Sequence, residues 1–363
     1  MYHSLIGKPS LRVGLVMGLL MGLCLLLLAA CGGENSAKGG ADQEHNKSKS
    51  GGAASTDGLI VFRRYLDLDL TKSAIFTMYP NGSHIRQITH PPKGFSDDSP
   101  AWSPDGKRVA FNRQAIDEST SRIMVLNTKT GDARQVEVVR GMEGSDPAFS
   151  PDGHSLAFKR SDGIWVVGLD GSNPHRVTYV EKRGALEFED SGPAFSPDGK
   201  RVVFVRARLE DDNSAVFVQS LDSIGSPESQ ITPWKMGCGG YGGPEFSPKG
   251  DWVLFSCTPE GGSSEELYWV HPDGTGLEQL TNPRRTLTNS PDDVHYVGSS
   301  FSPEFHDEGW GEIVAARYPA YGDAGNSDVF GMHIENGARV TGNLTESETL
   351  DDAPSWGTSE GAR

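Results

Sequence analysis

Acidic residues precede several short aromatic segments along the chain. They are Asp97-Asp98, Asp146, Glu189-Asp190, Asp292-Asp293 and Asp351-Asp352. Carboxylates gathered around one opening would focus a negative field there and would bind a cationic group, a basic peptide or a divalent cation such as calcium. Alternatively, each Asp only forms a turn at a strand start by hydrogen bonding to nearby backbone. The candidates for a ligand-binding site are Asp98, Asp146, Asp190, Asp293 and Asp352.

Other residue types that carry chemistry form no convincing motif. The ten histidines are scattered, and none stands at metal-ligand spacing from another. The best candidates for a metal or acid–base site are two histidines close to three aspartates: His295, His306, Asp292, Asp293 and Asp307. Residues 237–242 match a G-x-G-x-x-G pattern, but they open a predicted strand, so no helix N-terminus is available to hold a phosphate. We therefore assign no catalytic residue, no metal ligand and no cofactor, apart from calcium at the acidic positions.

A segment built around Ser-Pro-Asp-Gly recurs along the chain. Full copies, a shortened copy and a partial copy occupy residues 99–111, 146–158, 192–204, 243–255, 299–303 and 352–356. Pro presets φ, Asp hydrogen-bonds to nearby backbone and Gly takes a positive φ, so these four residues favour a tight turn. The flanking residues are aromatic and β-branched, as strands are. Each copy therefore predicts a β-hairpin.

A second hairpin follows each copy of the first. Its first strand is apolar, as in residues 123–126 and 164–167, and its last strand often ends in Thr, as at Thr178 and Thr232. The unit thus has four antiparallel strands and repeats roughly every 40 to 65 residues, which is typical of propeller blades.

The two ends of the repeat region complete one another. The strands predicted at residues 59–62, 74–78 and 85–89 form a blade that lacks its first strand. Residues 353–356 form a first strand that has no partner strand. Pairing them closes the ring and leaves no exposed sheet edge. Counting the fourth strands gives six units. The sequence therefore predicts an all-β, six-bladed β-propeller over residues 57–357, closed by its N- and C-terminal strands in one blade and followed by a tail at 358–363.

The repeat resembles the WD40-like repeats of TolB-type propellers. The resemblance covers nearly all of residues 57–356, with departures at Lys249, which replaces Asp, and in the insertion at 303–310. It implies a module that binds a protein, a peptide or a cationic ligand of the cell envelope. Six-bladed propellers also include lyases and lactonases, so an enzyme that acts on an extracellular carbohydrate or lactone is the alternative. We favour the binding module, because no set of histidines accompanies the carboxylates.

Residues 1–30 have the layout of a secretory signal peptide. Lys8 and Arg12 flank the start of an apolar run, which ends in Leu28-Ala-Ala-Cys31. This ending resembles the lipobox of bacterial lipoproteins, which implies cleavage before Cys31 and attachment of lipid to its thiol. A transmembrane helix is the alternative, but the run is short for a span. Residues 31–56, rich in Gly, Ser, Ala, Lys and Asn, would then be a flexible tether that holds the protein at the cell membrane or outer membrane on its extracytoplasmic side.

Two of the four cysteines remain if Cys24 leaves with the signal peptide and Cys31 takes lipid. Cys238 precedes the turn at residues 247–250, and Cys257 follows it at a similar distance. An antiparallel hairpin would bring the two close together, and an extracytoplasmic location permits a disulfide. Two separate buried thiols are the alternative.

The chain is strongly acidic, with a formal net charge of −16. Residues 1–56 carry five Lys/Arg and three Asp/Glu, so the rest of the chain carries −18. Binding to nucleic acid depends on neutralising phosphates, so an acidic body argues against that partner. The predicted partners are the membrane, through the lipid anchor, and a protein or peptide of the envelope.

Replacing the lipid-bearing thiol tests the anchor. We expect Cys31→Ser to move the protein from the membrane pellet to the soluble fraction, because the acyl chains would supply the membrane affinity. Fractionation and immunoblotting measure this, with Cys24→Ser as the control that stays in the pellet. Retention of a processed Cys31→Ser protein in the pellet would contradict the lipoprotein prediction.

Overall fold

The computed structural model describes residues 58–136, 143–180, 187–211, 213–225, 227–238, 242–258, 264–281, 294–306, 309–319, 327–335 and 337–358. The predicted signal peptide, the predicted tether, Cys31 and Asp293 lie outside these residues. Among the described residues, no helix is long and apolar enough to cross a membrane.

Twenty-five strands and no helix make up the regular structure of the described residues. The first three are β1 (Leu59–Tyr65), β2 (Ser73–Met78) and β3 (Arg86–Gln87). Blade 1 consists of β4 (Phe95–Trp102), β5 (Arg108–Ala115), β6 (Ser121–Asn127) and β7 (Ala133–Gln135). Blade 2 consists of β8 (Ser145–Phe149), β9 (Ser155–Arg160), β10 (Gly163–Gly168) and β11 (His175–Arg176).

The remaining strands continue the same order. Blade 3 consists of β12 (Phe188–Phe195), β13 (Arg201–Arg208), β14 (Ser214–Ser220) and β15 (Ser229–Gln230). Blade 4 consists of β16 (Gly237–Cys238), β17 (Glu245–Phe246), β18 (Val253–Thr258), β19 (Glu266–Val270) and β20 (Glu278–Gln279). Blade 5 consists of β21 (Val294–Phe301), β22 (Gly311–Pro319), β23 (Asp328–Ile334) and β24 (Ala338–Asn343), and β25 (Asp351–Gly357) is the last strand.

The six antiparallel sheets confirm a six-bladed propeller. Five of them follow chain order, and the first strand of blade 4 is split into β16 and β17, which both pair with β18. Blade 6 has the order β25-β1-β2-β3 and is closed by pairs such as Ile60↔Trp356. The predicted closure by the two terminal strands is therefore correct.

Apolar clusters hold neighbouring blades together. Six clusters occur among the described residues, and each combines side chains from two adjacent blades. Five second strands bury a Phe at the same position, namely Phe62, Phe111, Phe158, Phe204 and Phe255. Each contributes roughly 1.5–3 kcal/mol relative to an exposed side chain, so the ring is held by its blade junctions.

The Ser-Pro-Asp-Gly turns join the first and second strands as predicted. In blade 1 the Asp105 carboxylate accepts hydrogen bonds from the Ser103 hydroxyl at 2.5 Å and the Lys107 N–H at 3.1 Å. Burial alone would raise the pKa of Asp105, but these hydrogen bonds lower it. Gly106 has a φ of 63°, which Gly adopts without strain.

Shortening the chain tests the closure. We expect a chain that stops at Leu350 to lose cooperative unfolding, because it would expose the edge of β1 and leave Arg63 and Arg64 without the carboxylates of β25. Thermal unfolding followed by circular dichroism measures this. A chain that stops at Thr358 is the control and should melt like the full chain. An unchanged melting temperature in the shorter chain would contradict the predicted role of β25.

Candidate functional site

The first strands of the blades surround the central channel. First strands of neighbouring blades contact one another around the ring. In five blades the pairing of the first and second strands shifts register once. At each shift lies a residue with positive φ: Ser99, Asp146, Gly192, Gly298 or Ala353. A β-carbon on Gly192 would lie 2.5 Å from the Gly243 Cα, so the bulges of neighbouring blades are in close contact.

The candidate aspartates occupy three different positions relative to these bulges. Asp190, with Asp97 and Asp351, lies two residues before the positive-φ residue. Asp98 and Asp352 lie one residue before it, and Asp146 is itself the positive-φ residue. Successive side chains of a strand point to opposite faces. The candidates therefore do not form one circle of equivalent carboxylates, as the sequence suggested, and Asp293 lies outside the described residues.

Carboxylates two residues before the bulge form buried ion pairs. Each lies opposite an Arg of the second strand and makes a two-pronged contact, in the pairs Asp97–Arg113, Asp190–Arg206 and Asp351–Arg64. The shortest distances are 2.6, 2.7 and 2.6 Å, and all three carboxylates are fully buried. Asp190 is thus a structural residue with no surface for a ligand, and its assignment to the ligand site is corrected on that ground.

Aromatic rings lie beneath these arginines. The Arg206 guanidinium carbon lies 5.3 Å from the Phe204 ring centre and 5.2 Å from that of Phe217. Arg64 lies 5.4 Å from Phe62 and 5.1 Å from Phe76 in the same way. The charge therefore sits between a carboxylate and the apolar part of the blade, which is a favourable cation–π arrangement.

The Thr at the end of the fourth strand joins this arrangement to the preceding blade. The Thr178 hydroxyl of blade 2 donates to Asp190 of blade 3 at 2.6 Å and accepts the N–H of Ile164 at 2.9 Å. The recurring Thr of the sequence thus has a structural explanation, since its hydroxyl accepts an N–H of the third strand in five blades. At Thr178 it also satisfies a buried carboxylate across the blade junction.

Blade 4 replaces the ion pair with a covalent bond. Cys257 occupies the position that Arg206 occupies in blade 3, and it lies opposite Cys238 in the strand pairing. The structure joins the two in a disulfide, with Cα atoms 4.0 Å apart. The same place in the blade is therefore cross-linked by charge in three blades and by sulfur in one.

A charged network lies at the channel mouth, which is the end where the first strands begin. Arg63 contacts Asp352 through two nitrogens, and its Nη1 lies 2.7 Å from Oδ2 of Asp98. The Tyr318 hydroxyl donates to the same Asp352 at 2.6 Å. Asp352 is fully buried, so this candidate is also committed to the protein, whereas Asp98 keeps 29% of its side-chain surface exposed.

The network continues into blades 2 and 3. The Ser99 hydroxyl lies 3.3 Å from Oδ1 of Asp146, and Lys159 lies 2.7 Å from Glu189. Burial raises the pKa of Asp146, and the nearby Asp98 raises it further, although Lys159 opposes this. We call the set Tyr318, Asp352, Arg63, Asp98, Ser99, Asp146, Lys159 and Glu189 the mouth network. Its carboxylates outnumber its cations by two.

The channel interior offers less chemistry than its mouth. The side chains two residues after the bulge are small in most blades, namely Ala101, Ala148, Ala194, Ser300 and Ser355, with Glu245 in blade 4. Burial raises the pKa of Glu245 to about 8, although Ser300 and the N–H of Phe301 donate hydrogen bonds to it. Glu245 is therefore mostly uncharged at neutral pH, and the mouth remains the best candidate site.

The structure describes only the two histidines of the histidine–aspartate cluster suggested by the sequence, and they lie near opposite ends of one strand. His295 is the second residue of β21 and accepts the N–H of Glu265 at 3.0 Å, whereas His306 follows the other end of β21 and stacks on Trp310. Asp292, Asp293 and Asp307 lie outside the described residues. Within the described part of the chain, no group of three or more His, Cys, Asp or Glu side chains is arranged to hold a metal ion.

Comparison with known families agrees with this architecture. Residues 81–208 match the TolB beta propeller domain. The match covers β3, blade 1, blade 2 and the first two strands of blade 3, and the predicted resemblance to TolB-type propellers is confirmed. A search of curated proteins found no match.

Solved structures show the same fold at low sequence identity. TolB from Acinetobacter baumannii is 18% identical with a TM-score of 0.53, over 82% of this chain and 66% of that one. A putative TolB from Agrobacterium tumefaciens is 20% identical with a TM-score of 0.53, over 80% and 88%. A chain of a nidogen/laminin complex is 11% identical with a TM-score of 0.58, over 83% and 99%. The present chain thus spans just under two thirds of the Acinetobacter TolB, and these likenesses concern the fold.

Removing one buried carboxylate tests its structural role. We expect Asp190→Asn to lower the free energy of unfolding by about 3 kcal/mol, because Arg206 would stay buried with only part of its charge compensated. Asp211→Asn, which breaks an exposed contact with Arg208, is the control and should lower the free energy of unfolding far less. Urea unfolding measures both. Equal, small losses would show that the buried pair is not a stabilising contact.

Proposed function

We propose that this TolB-type propeller is a binding module that holds a protein or peptide of the cell envelope at its channel mouth. The observation that carries the proposal is the excess of carboxylates in the mouth network, in which Asp98 is partly exposed and Asp146 is half-buried. Charge of one sign in a concave opening attracts ligands of the opposite sign and speeds their association. The ligand segment is therefore cationic.

Lipid attachment to Cys31 would place this mouth outside the cytoplasm. The disulfide between Cys238 and Cys257 supports that location, since such bonds persist in oxidising compartments. A tether between Cys31 and the first strand would let the propeller reach a partner above the membrane surface. Because the propeller itself is acidic, the acyl chains rather than the protein surface would provide membrane affinity.

The ion pairing of the carboxylates favours binding over catalysis. A lyase or lactonase site of the kind considered above would need histidine or carboxylate ligands that converge on a metal. The described carboxylates instead pair with arginines, as Asp190, Asp352 and Asp98 do, or lie at the mouth beside a serine hydroxyl, as Asp146 does. A mouth of this kind recognises charge and shape rather than activating a bond.

Crosslinking of carboxyl groups to amines tests the proposal in the cells that make the protein. A carbodiimide joins a carboxylate to a lysine in direct contact, so we expect a crosslinked partner with the full chain and at most about a tenth as much with Asp98→Asn/Asp146→Asn. The control is Asp170→Asn/Asp273→Asn, which removes two exposed carboxylates from turns at the other end of the blades. Immunoblotting and mass spectrometry measure the product. An equal yield from both double variants would refute binding at the mouth.

A further inference from the structure

One position in the second strand reaches from its own blade towards the next. It is the residue directly after the buried Phe, and it is Arg63 in blade 6, Asn112 in blade 1 and Lys159 in blade 2. Arg63 contacts Asp98 of blade 1 at 2.7 Å, and Lys159 contacts Glu189 of blade 3 at 2.7 Å. At these two junctions the protein therefore supplies its own cation to a carboxylate of the neighbouring blade.

The junction between blades 1 and 2 has an amide at this position. Asn112 lies opposite Asp98 in the strand pairing and is only 3% exposed. Its Oδ1 is buried without a hydrogen-bond partner among the described residues. An acceptor left in this state costs free energy that a donor would recover. Asn112 thus places a buried oxygen without a hydrogen-bond donor where the two neighbouring junctions carry a positively charged side chain.

The carboxylates at this junction are incompletely compensated. Ser99 lies 3.4 Å from Oδ1 of Asp98 and 3.3 Å from Oδ1 of Asp146, so one hydroxyl stands between the two. Burial has the largest effect and raises the pKa of Asp146, Lys159 and the N–H of Gly192 lower it, and the nearby Asp98 raises it. Arg63 is shared with Asp352, and Lys159 donates its hydrogen bond to Glu189. Lys159 also attracts Asp146, so Arg63 and Lys159 are each shared between two carboxylates.

We propose that Asn112 Oδ1, Asp98 and Asp146 form a subsite for one Lys or Arg side chain of the ligand. The incoming cation takes the place that Arg63 and Lys159 take at the adjacent junctions, and it donates hydrogen bonds to the amide oxygen and the carboxylates. This inference rests on the proposed function and assigns its charge recognition to one junction. Calcium fits less well, because it needs six to eight oxygen ligands and these three side chains offer at most five.

Small probes of matched shape test the subsite in the full-length protein. The probes are Nα-acetyl-arginine methylamide, Nα-acetyl-lysine methylamide and the neutral citrulline analogue, with binding followed by NMR titration. We expect both cationic probes to bind at least about tenfold more tightly than the citrulline analogue, as one charge-assisted contact would provide. Equal binding of the three probes would overturn the proposal. Binding of calcium to these residues, without binding of the cationic probes, would overturn it as well.

Filling the junction from within is the sharper test. Asn112→Arg should lower the affinity for the arginine probe at least about tenfold, since its own guanidinium would occupy the subsite. Gln135→Arg adds the same charge on an exposed outer strand and should leave the affinity unchanged. If Asn112→Arg fails to fold, Asp146→Asn serves instead, because Asn tolerates the left-handed backbone there. Unchanged affinity in the folded variant would refute the subsite.

The two proposals fail differently. If the crosslinked partner is lost in Asp98→Asn/Asp146→Asn while the probes show no preference for charge, the subsite is wrong and the binding module stands. If the probes bind as expected and no partner is crosslinked through the mouth, the subsite stands and the envelope partner is wrong.

Discussion

In three blades, a two-pronged contact between a first-strand Asp and a second-strand Arg anchors the first strand beside its β-bulge. A β-bulge interrupts the ladder between these strands and leaves local backbone groups without their regular partners. The Asp190–Arg206 pair lies one residue pair before such an interruption, and the Asp190 side chain is fully buried. It fixes the first strand to its blade, and the first strand in turn lines the channel.

The same constraint explains how neighbouring blades are connected. Thr178 brings a hydroxyl from the preceding blade to Asp190, so one carboxylate joins two blades. In the closing blade the contact joins the two ends of the chain, since Arg64 belongs to β1 and Asp351 to β25. Blade 4 meets the same need with the disulfide of Cys257. Four of the six blades therefore fix the first strand at the same position, three with an ion pair and blade 4 with a disulfide.

Much of the fold could be predicted from local pattern. The Ser-Pro-Asp-Gly turns and the apolar strands predict hairpins, and the unmatched terminal strands predict closure in blade 6. The role of the aspartates was harder to predict, because their distance from the bulge along the strand decides whether they face an Arg or the channel mouth. A signal was present: Asp97 and Arg113 are sixteen residues apart, as are Asp190 and Arg206. The role of Asn112 could not be predicted from sequence, because it depends on comparison with Arg63 and Lys159, which occupy the same strand position at the neighbouring blade junctions.

A double-mutant cycle on the closing pair tests the account most directly. Arg64→Met, Asp351→Asn and the double variant would be compared with the unaltered chain by urea unfolding. We expect a coupling energy of about 2 kcal/mol, because Arg64→Met leaves the fully buried Asp351 without its cation and Asp351→Asn leaves the half-buried Arg64 without its anion. A coupling energy near zero would mean that the pair does not anchor the ring, and the structural role assigned to the buried aspartates would be wrong.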